Sequence, residues 1–220
     1  MRGQIYDSMN AALAALHNVD VEAVGLGDFG PRGNYFERQF NRWRKQYAAS
    51  EIERHDDIHR LIDWLEPRIP GDDGAVALVH GDYRLDNMVF ARDSARILGI
   101  LDWELATLGH PLADLAYQCM QLRLPHSGGF RGLGGIDRAA AGLPSEADYV
   151  AAYCRRRGIG EIANWEVYLA FSFFRLAAIL QGVYRRYVVG NASNPQTALA
   201  YGRAVPQLGA IAAQIIEEGA

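Results

Sequence analysis

The stretch HGDYRLDN, residues 80–87, decides how the rest of this sequence is interpreted. It ends the short apolar run at residues 75–80 and leads into two strand-like stretches, residues 87–91 and 95–102. The polar residues 92–94 form a turn signal between those two stretches. The pattern therefore predicts a small β-hairpin that carries a dense polar loop at its base.

Within this loop the spacing H-x-D-x-x-x-x-N brings together side chains suited to phosphoryl transfer. In that reaction an aspartate, here Asp82, accepts the proton of the acceptor hydroxyl, and an amide oxygen, here of Asn87, can reach a magnesium ion. Magnesium also prefers a hard, charged oxygen, and Asp102 offers one at the end of the second strand. A polar turn with a helix cap would explain any one of these residues but not the whole set.

Most of the remaining sequence predicts helices. Apolar residues recur at helical spacing in the first third of the chain, before two prolines, and again in its last half. A glycine-rich stretch, residues 127–142, interrupts the pattern as a loop. The predicted fold class is α+β and mostly α-helical, with helices over residues 5–16, 34–49, 52–65, 111–122, 147–157, 162–188 and 197–216.

Composition limits the classes of function. The 220 residues carry a formal net charge of −4, with 22% charged and 50% hydrophobic residues. We expect one domain, no nucleic-acid partner because no basic face is evident, and no membrane partner because no polybasic segment or run of about 20 apolar residues stands out. The two cysteines, Cys119 and Cys154, suggest neither a disulfide framework nor a metal quartet, so we expect a cytoplasmic protein.

Three motifs resemble one known family. Residues 80–87, ILDWE at 100–104 and HPLADLA at 110–116 resemble the aminoglycoside phosphotransferase and choline kinase superfamily, which is related to the protein kinases. GNYFERQ at 33–39 and RWRKQY at 42–47 resemble the subgroup of phosphotransferase domains found fused to, or encoded beside, acyl-CoA dehydrogenases. The resemblance covers nearly the whole chain and implies the C-terminal lobe of a protein-kinase-like fold, whose small hairpin carries the catalytic loop and the metal aspartate.

The resemblance also implies roles for individual residues. Asp82 corresponds to the catalytic base, Asn87 and Asp102 correspond to the ligands of Mg²⁺ and its bound ATP, and His80 braces the loop. Asp114 is expected to cap a helix or brace the loop rather than bind a ligand directly. Arg84 and Asp86 lie inside the loop, where contact with phosphate or substrate and simple solvation are both open.

The nucleotide-binding lobe of the family is expected to be absent, so that residues 1–220 form a single catalytic and substrate-binding lobe. Lys45 is the only lysine and lies in a helical segment, whereas kinases need a lysine on a strand. GLGDFG at residues 25–30 contains a literal glycine-loop pattern and a literal DFG, but no strands flank it and it precedes the loop at 80–87, so we interpret it as a turn. The chain alone is therefore expected to be an incomplete enzyme.

Two further segments have competing interpretations. His55 and His59 have the spacing of a zinc-binding helix, but no third ligand is evident and a solvated face is the simpler interpretation. The glycine-rich loop is either a mobile lid or a disordered connection. Its arginines, Arg131 and Arg138, outnumber its one acidic residue, Asp137, and favour an anionic acceptor.

The sequence therefore predicts an ATP-dependent phosphotransferase acting on a small hydroxylated substrate, which could be a hydroxyacyl-CoA or hydroxy acid. The alternative is a non-catalytic kinase-like lobe that binds a partner protein or a ligand. A homodimer is a further expectation, formed through the face that the absent lobe would have covered.

Overall fold

The structure is a computed structural model that describes residues 1–126, 130 and 132–218. It divides into two compact units, each built from segments distant in sequence. Unit 1 comprises residues 1–33, 72–126 and 132–163, and unit 2 comprises residues 34–71, 127–131 and 164–220, without the residues that are not described.

The described residues of unit 1 form three α-helices, four short strands and two single 3-10 turns, Leu85–Asn87 and Trp103–Leu105. The helices are α1 (Arg2–His17), α4 (Leu112–Arg123) and α5 (Glu146–Arg157), and α1 packs against α5. The strands are β1 (Ala77–Val79), β2 (Met88–Phe90), β3 (Ile97–Ile100) and β4 (Thr107–Gly109).

The strands pair as two nested antiparallel ladders. The inner pair, β2 and β3, places Met88 opposite Ile100, and the outer pair, β1 and β4, places Val79 opposite Thr107. The segments at residues 80–87 and 101–106 are therefore each flanked on both sides by a paired strand.

Helix α1 buries part of the apolar face that helical spacing predicts. Of the apolar residues at that spacing, Met9 and Leu13 are buried, whereas Ile5, Ala12 and Leu16 are half-buried. The buried stripe also includes polar side chains that apolar spacing does not indicate, those of Asn10 and His17.

Unit 2 is a helical assembly of α2 (Tyr35–Ser50), α3 (Asp56–Leu65), α6 (Trp165–Val188) and α7 (Pro195–Glu218). Aromatic side chains form its core, as in the edge-to-face contact of Phe36 with Phe171. By length and composition α6 could cross a membrane, but 67% of its most apolar window is buried in the protein, which is typical of a core helix.

The predicted fold class is confirmed, and the predicted helices and the hairpin are all found within a few residues of their expected bounds. Strand β4 was missed. Three residues, Thr107–Gly109, give too short a pattern to indicate a strand, and their extended form depends on pairing with β1.

Candidate active site

The nested strands bring two irregular segments together. The 80–87 loop joins β1 to β2, and residues 101–106 join β3 to β4. Directly beyond the inner ladder, the amide of Leu101 donates to the carbonyl oxygen of Asn87 at 2.8 Å. This bond continues the β2–β3 pairing into the loops, and so it fixes the start of the Asp102 segment beside Asn87.

Asp82 and Asn87 are in direct contact. The Asn87 Nδ2 atom lies 2.9 Å from both the backbone oxygen and the Oδ2 atom of Asp82. Because both partners are acceptors, the amide must present its NH₂ group to Asp82 and direct Oδ1 elsewhere. Within the described chain, neither Oδ1 of Asn87 nor Oδ1 of Asp82 accepts a hydrogen bond, so both oxygens are available to a ligand.

His80 connects the two segments through its ring. Its Nε2 atom lies 2.9 Å from the carbonyl oxygen of Leu101, and its Nδ1 atom accepts from the amide of Asp82 at 3.2 Å. These partners require the tautomer with the hydrogen on Nε2. The Trp103 ring also packs on the imidazole, with a centroid separation of 4.7 Å. His80 therefore supports both the loop and the segment of Asp102.

Asp102 is exposed and has a left-handed backbone, with φ at 66° and ψ at 56°. Aspartate tolerates this conformation better than most residues. The next residue helps to hold it, since Trp103 Nε1 donates to the carbonyl oxygen of Ile100 at 2.8 Å. The Asp102 carboxylate makes no hydrogen bond or ion pair with the described residues, so the structure positions it through the backbone alone.

Arg84 lies beside the candidate base. Its Nε atom is 3.5 Å from Asp82 Oδ2, and its Nη2 atom is 3.9 Å from Asp86 Oδ2. The side chain is 40% exposed, so these weak ion pairs leave it free to turn toward an anion. Both interpretations of Arg84 and Asp86 stay open.

Asp114 lies beneath the loop and is buried. Its Oδ2 atom accepts from the amide of His80 at 2.6 Å, and its Oδ1 atom accepts from the amide of Gly81 at 2.9 Å. Burial alone would raise its pKa, but the hydrogen bond and charge of His17 and these two amides outweigh burial and hold the pKa below its ordinary value. Asp114 therefore holds two successive amides of the loop, and its role in the site stays a prediction.

Gly81 allows the loop to turn tightly. Its φ of +83° is unfavourable for other residues, and an added Cβ would lie 2.6 Å from the backbone oxygen of Leu105. Two residues later, the Tyr83 hydroxyl donates to the carbonyl oxygen of Met9 at 2.7 Å and anchors the loop on α1.

The available donor atoms fit magnesium better than zinc. Asn87 and Asp102 offer the hard oxygen atoms that magnesium prefers, and the described residues contain no group of three or more His, Cys, Asp or Glu side chains that could hold any metal ion by themselves. At the proposed zinc spacing, His59 Nε2 lies 2.6 Å from Glu51 Oε1, and His55 precedes the first residue of α3.

Three other segments singled out in the sequence lie outside the 80–87 loop. Residues 25–30 lie in turns between α1 and α2, and a Cβ on Gly30 would clash with Thr107 Oγ1. Lys45 lies on α2. In the glycine-rich loop, Arg131 and residues 127–129 lie outside the described residues, so the lid prediction stays a prediction.

Sequence reasoning missed two residues behind Asp114. His17 Nε2 lies 3.3 Å from Asp114 Oδ2, and the Tyr153 hydroxyl lies 2.6 Å from His17 Nδ1. A signal did exist for His17, since it continues the helical spacing of Met9, Leu13 and the other buried residues of α1.

The profile of the APH phosphotransferase enzyme family matches residues 2–166. The chain belongs to this family. The mouse protein Acyl-CoA dehydrogenase family member 10 is 46% identical over 194 residues, which are 88% of this chain. The family resemblance drawn from the sequence is thereby confirmed, and the name of this relative matches the predicted subgroup.

Two solved structures place the chain in the same fold. A Ralstonia eutropha protein, provisionally named an aminoglycoside phosphotransferase, has a TM-score of 0.92 and 47% identity over 98% of this chain. A spectinomycin phosphotransferase, solved with ADP and spectinomycin, has a TM-score of 0.60 over 99% of this chain, and its 20% identity supports the fold alone. This chain spans only 65% of the Ralstonia chain, 66% of the spectinomycin enzyme and 18% of the mouse relative.

We predict that Gly81→Ala destabilises unit 1. The added methyl group meets the Leu105 backbone in a disfavoured conformation, so the free energy of unfolding should fall by about 1–3 kcal/mol or more. Gly99→Ala is the matched control, because nothing lies within 4 Å of its added Cβ, and it should change stability by no more than about 0.5–1 kcal/mol. Urea unfolding measures both, and equal effects would contradict the close approach.

A second prediction concerns acid stability. Because the folded-state pKa of Asp114 is lowered, the unfolded chain binds more protons than the folded chain between the folded pKa and about 3.9. Ionised Asp114 therefore stabilises the fold above about pH 4, and this contribution is lost as the pH falls through the folded pKa. Urea unfolding between pH 7 and pH 3 should show a stability difference between wild type and Asp114→Asn that narrows in acid. A constant difference would contradict the lowered pKa.

Proposed function

We propose that this chain is the catalytic lobe of an ATP-dependent O-phosphotransferase. The observation that carries the proposal is the contact between Asp82 and Asn87, which leaves an oxygen of each side chain open in a loop braced from below. Membership of the phosphotransferase family supports the reaction class, and the ADP in the spectinomycin enzyme supports a nucleotide donor.

In the proposed mechanism, Asp82 Oδ1 accepts the hydrogen bond of the acceptor hydroxyl and takes its proton. The Asn87 amide holds the other carboxylate oxygen and so keeps Oδ1 directed at the acceptor. Arg84 is close enough to stabilise negative charge near Asp82. The main contribution of these residues is positioning, as expected for phosphoryl transfer.

Asn87 Oδ1 and the Asp102 carboxylate would hold Mg²⁺, because both offer hard oxygen atoms that no described residue occupies. A Mg²⁺–ATP complex held there would supply the phosphoryl group, with ADP as the leaving group, and Mg²⁺ would neutralise charge on the phosphates. The protein's own contribution is the shared backbone bond between Leu101 and Asn87, which keeps the two ligand-bearing segments adjacent.

For the acceptor we propose a hydroxyacyl-CoA or a hydroxy acid. The relatives named acyl-CoA dehydrogenase family members support an acyl-CoA context. An aminoglycoside is a polycation and would favour an acidic pocket, whereas the glycine-rich loop contains two arginines and one aspartate.

We also propose that a separate nucleotide-binding lobe completes the enzyme and that the chain alone is inactive. The hairpin and its adjoining loops expose several large apolar side chains that such a lobe would bury. Each of these six side chains is at least 40% exposed: Leu85, Val89, Leu98, Leu101, Trp103 and Leu105. A kinase-like module that only binds a partner would use the same apolar side chains. A measurement of phosphotransferase activity distinguishes this module from an enzyme.

The direct test uses a chimaera in which the part of the Ralstonia relative that this chain does not cover is joined to this chain, in the order of the Ralstonia sequence. We expect transfer of the γ-phosphate of ATP to a hydroxyacyl-CoA, and we expect Asp82→Asn to reduce it at least about 10²-fold without unfolding the protein. Asp93→Asn is the matched control, because this carboxylate lies in the turn at the opposite end of the hairpin. Turnover that survives Asp82→Asn would contradict the assigned base.

The metal site has its own prediction. At about 100 times the dissociation constant, a ligand stabilises the folded state by about 2.7 kcal/mol, so Mg²⁺–ATP should raise the melting temperature of the larger chimaera by roughly 3–5 °C. Asp102→Asn should remove most of this rise and leave the ligand-free melting temperature nearly unchanged, because its side chain is exposed and unpaired among the described residues. An undiminished rise would exclude Asp102 as a ligand.

A further inference from the structure

A buried chain of side chains leads from α5 to the 80–87 loop. The Tyr153 hydroxyl lies 2.6 Å from His17 Nδ1, and His17 Nε2 lies 3.3 Å from Asp114 Oδ2. All three residues are at most 3% exposed. This series of contacts ends at the His80 and Gly81 amides, which donate hydrogen bonds to the Asp114 carboxylate.

The Asp114 carboxylate depends on His17 for a counterpart. Its other hydrogen-bond donors are the two loop amides, and among the described residues His17 is its only side-chain donor. A buried carboxylate needs donors for its charge, and a charge-assisted hydrogen bond is roughly twice as strong as a neutral one. The third donor therefore stabilises the carboxylate in the orientation that meets both loop amides.

Tyr153 in turn orients the His17 ring. The nitrogen that faces an ionised carboxylate must carry hydrogen, so Nε2 donates to Asp114. The other nitrogen, Nδ1, lies against the Tyr153 hydroxyl: it accepts the hydroxyl hydrogen when the ring is neutral and donates to the hydroxyl oxygen when the ring is protonated, and burial keeps the hydroxyl itself protonated by raising its pKa. Both ring nitrogens are thereby satisfied, and rotation of the ring would break both bonds.

We propose that His17, held by Tyr153, is a positioning residue for the 80–87 loop. It fixes the Asp114 carboxylate, which fixes the amides of His80 and Gly81 and thereby the position of Asp82. The value of this position for catalysis rests on the proposed phosphotransferase function, whereas the effect on the loop can be measured without substrate.

The test measures amide hydrogen exchange by NMR on the 220-residue chain. Asparagine at position 17 can mimic Nδ1 and glutamine can mimic Nε2, so His17→Asn removes the donor to Asp114 and His17→Gln retains one. We expect His17→Asn to raise the exchange rates of the His80 and Gly81 amides by about tenfold or more, because a hydrogen bond to a charged group is lost. His17→Gln should retain most of the protection.

Helix α5 offers a matched pair of tyrosine variants. Tyr153→Phe removes the partner of His17 and should raise the exchange of the same two amides roughly 2–10-fold. The Tyr149 hydroxyl is buried one turn earlier and has no hydrogen-bond partner among the described residues, so Tyr149→Phe should leave that exchange unchanged.

Unchanged exchange in His17→Asn would overturn the proposal, as would an equal rise across all amides of α1, α4 and α5, which indicates general destabilisation. The proposal would also be overturned if His17→Gln raised the exchange rates of the His80 and Gly81 amides as much as His17→Asn does. In the chimaera we expect His17→Asn to lower kcat more than it raises KM. A chimaera that transfers no phosphate would overturn the phosphotransferase function, while the exchange data would still decide the role of His17.

Discussion

The candidate site depends on one buried carboxylate. Asp114 accepts hydrogen bonds from two successive amides of the 80–87 loop and from His17. A loop with a positive φ at Gly81 cannot satisfy its amides by regular pairing, so these donors need an acceptor from elsewhere. The first turn of α4 provides it, and the loop is therefore fixed to a buried helix rather than to its neighbours in sequence.

The nested strand pairs provide the second constraint. A hairpin alone would bring Asn87 and Leu101 together, but it would leave residues 80–86 and 102–106 free to diverge. Pairing of β1 with β4 closes the other end of both segments. The His80 ring then crosses between them, from the Asp82 amide to the Leu101 carbonyl oxygen. Irregular backbone with exposed functional groups is thus held at both ends by regular structure.

The sequence predicted the local elements well because their signals are local. These signals do not depend on how the rest of the chain is arranged: they are the spacing of Asp82 and Asn87 and the strand pattern that ends before Asp102. Strand β4 and the role of His17 depend on partners far away, β1 for the strand and Asp114, 97 residues distant, for the histidine. Apolar spacing found Met9 and Leu13 in the buried stripe of α1 but not its polar members for a related reason: Asn10 and His17 lie in the core because polar partners on other elements satisfy them.

Hydrogen bonding divides the site into two classes of atoms. In the supporting residues every relevant atom has a partner, as both oxygens of Asp114 and both ring nitrogens of His80 do. In the residues proposed to meet ligands, Oδ1 of Asp82, Oδ1 of Asn87 and the Asp102 carboxylate have none within the described chain. An oxygen atom without a protein partner costs the fold little stability where water reaches it, whereas a buried oxygen without a partner costs much. A site that exchanges water for a metal ion and a substrate hydroxyl needs this arrangement: supporting residues whose hydrogen bonds are all made, and ligand-binding oxygens that have no protein partner.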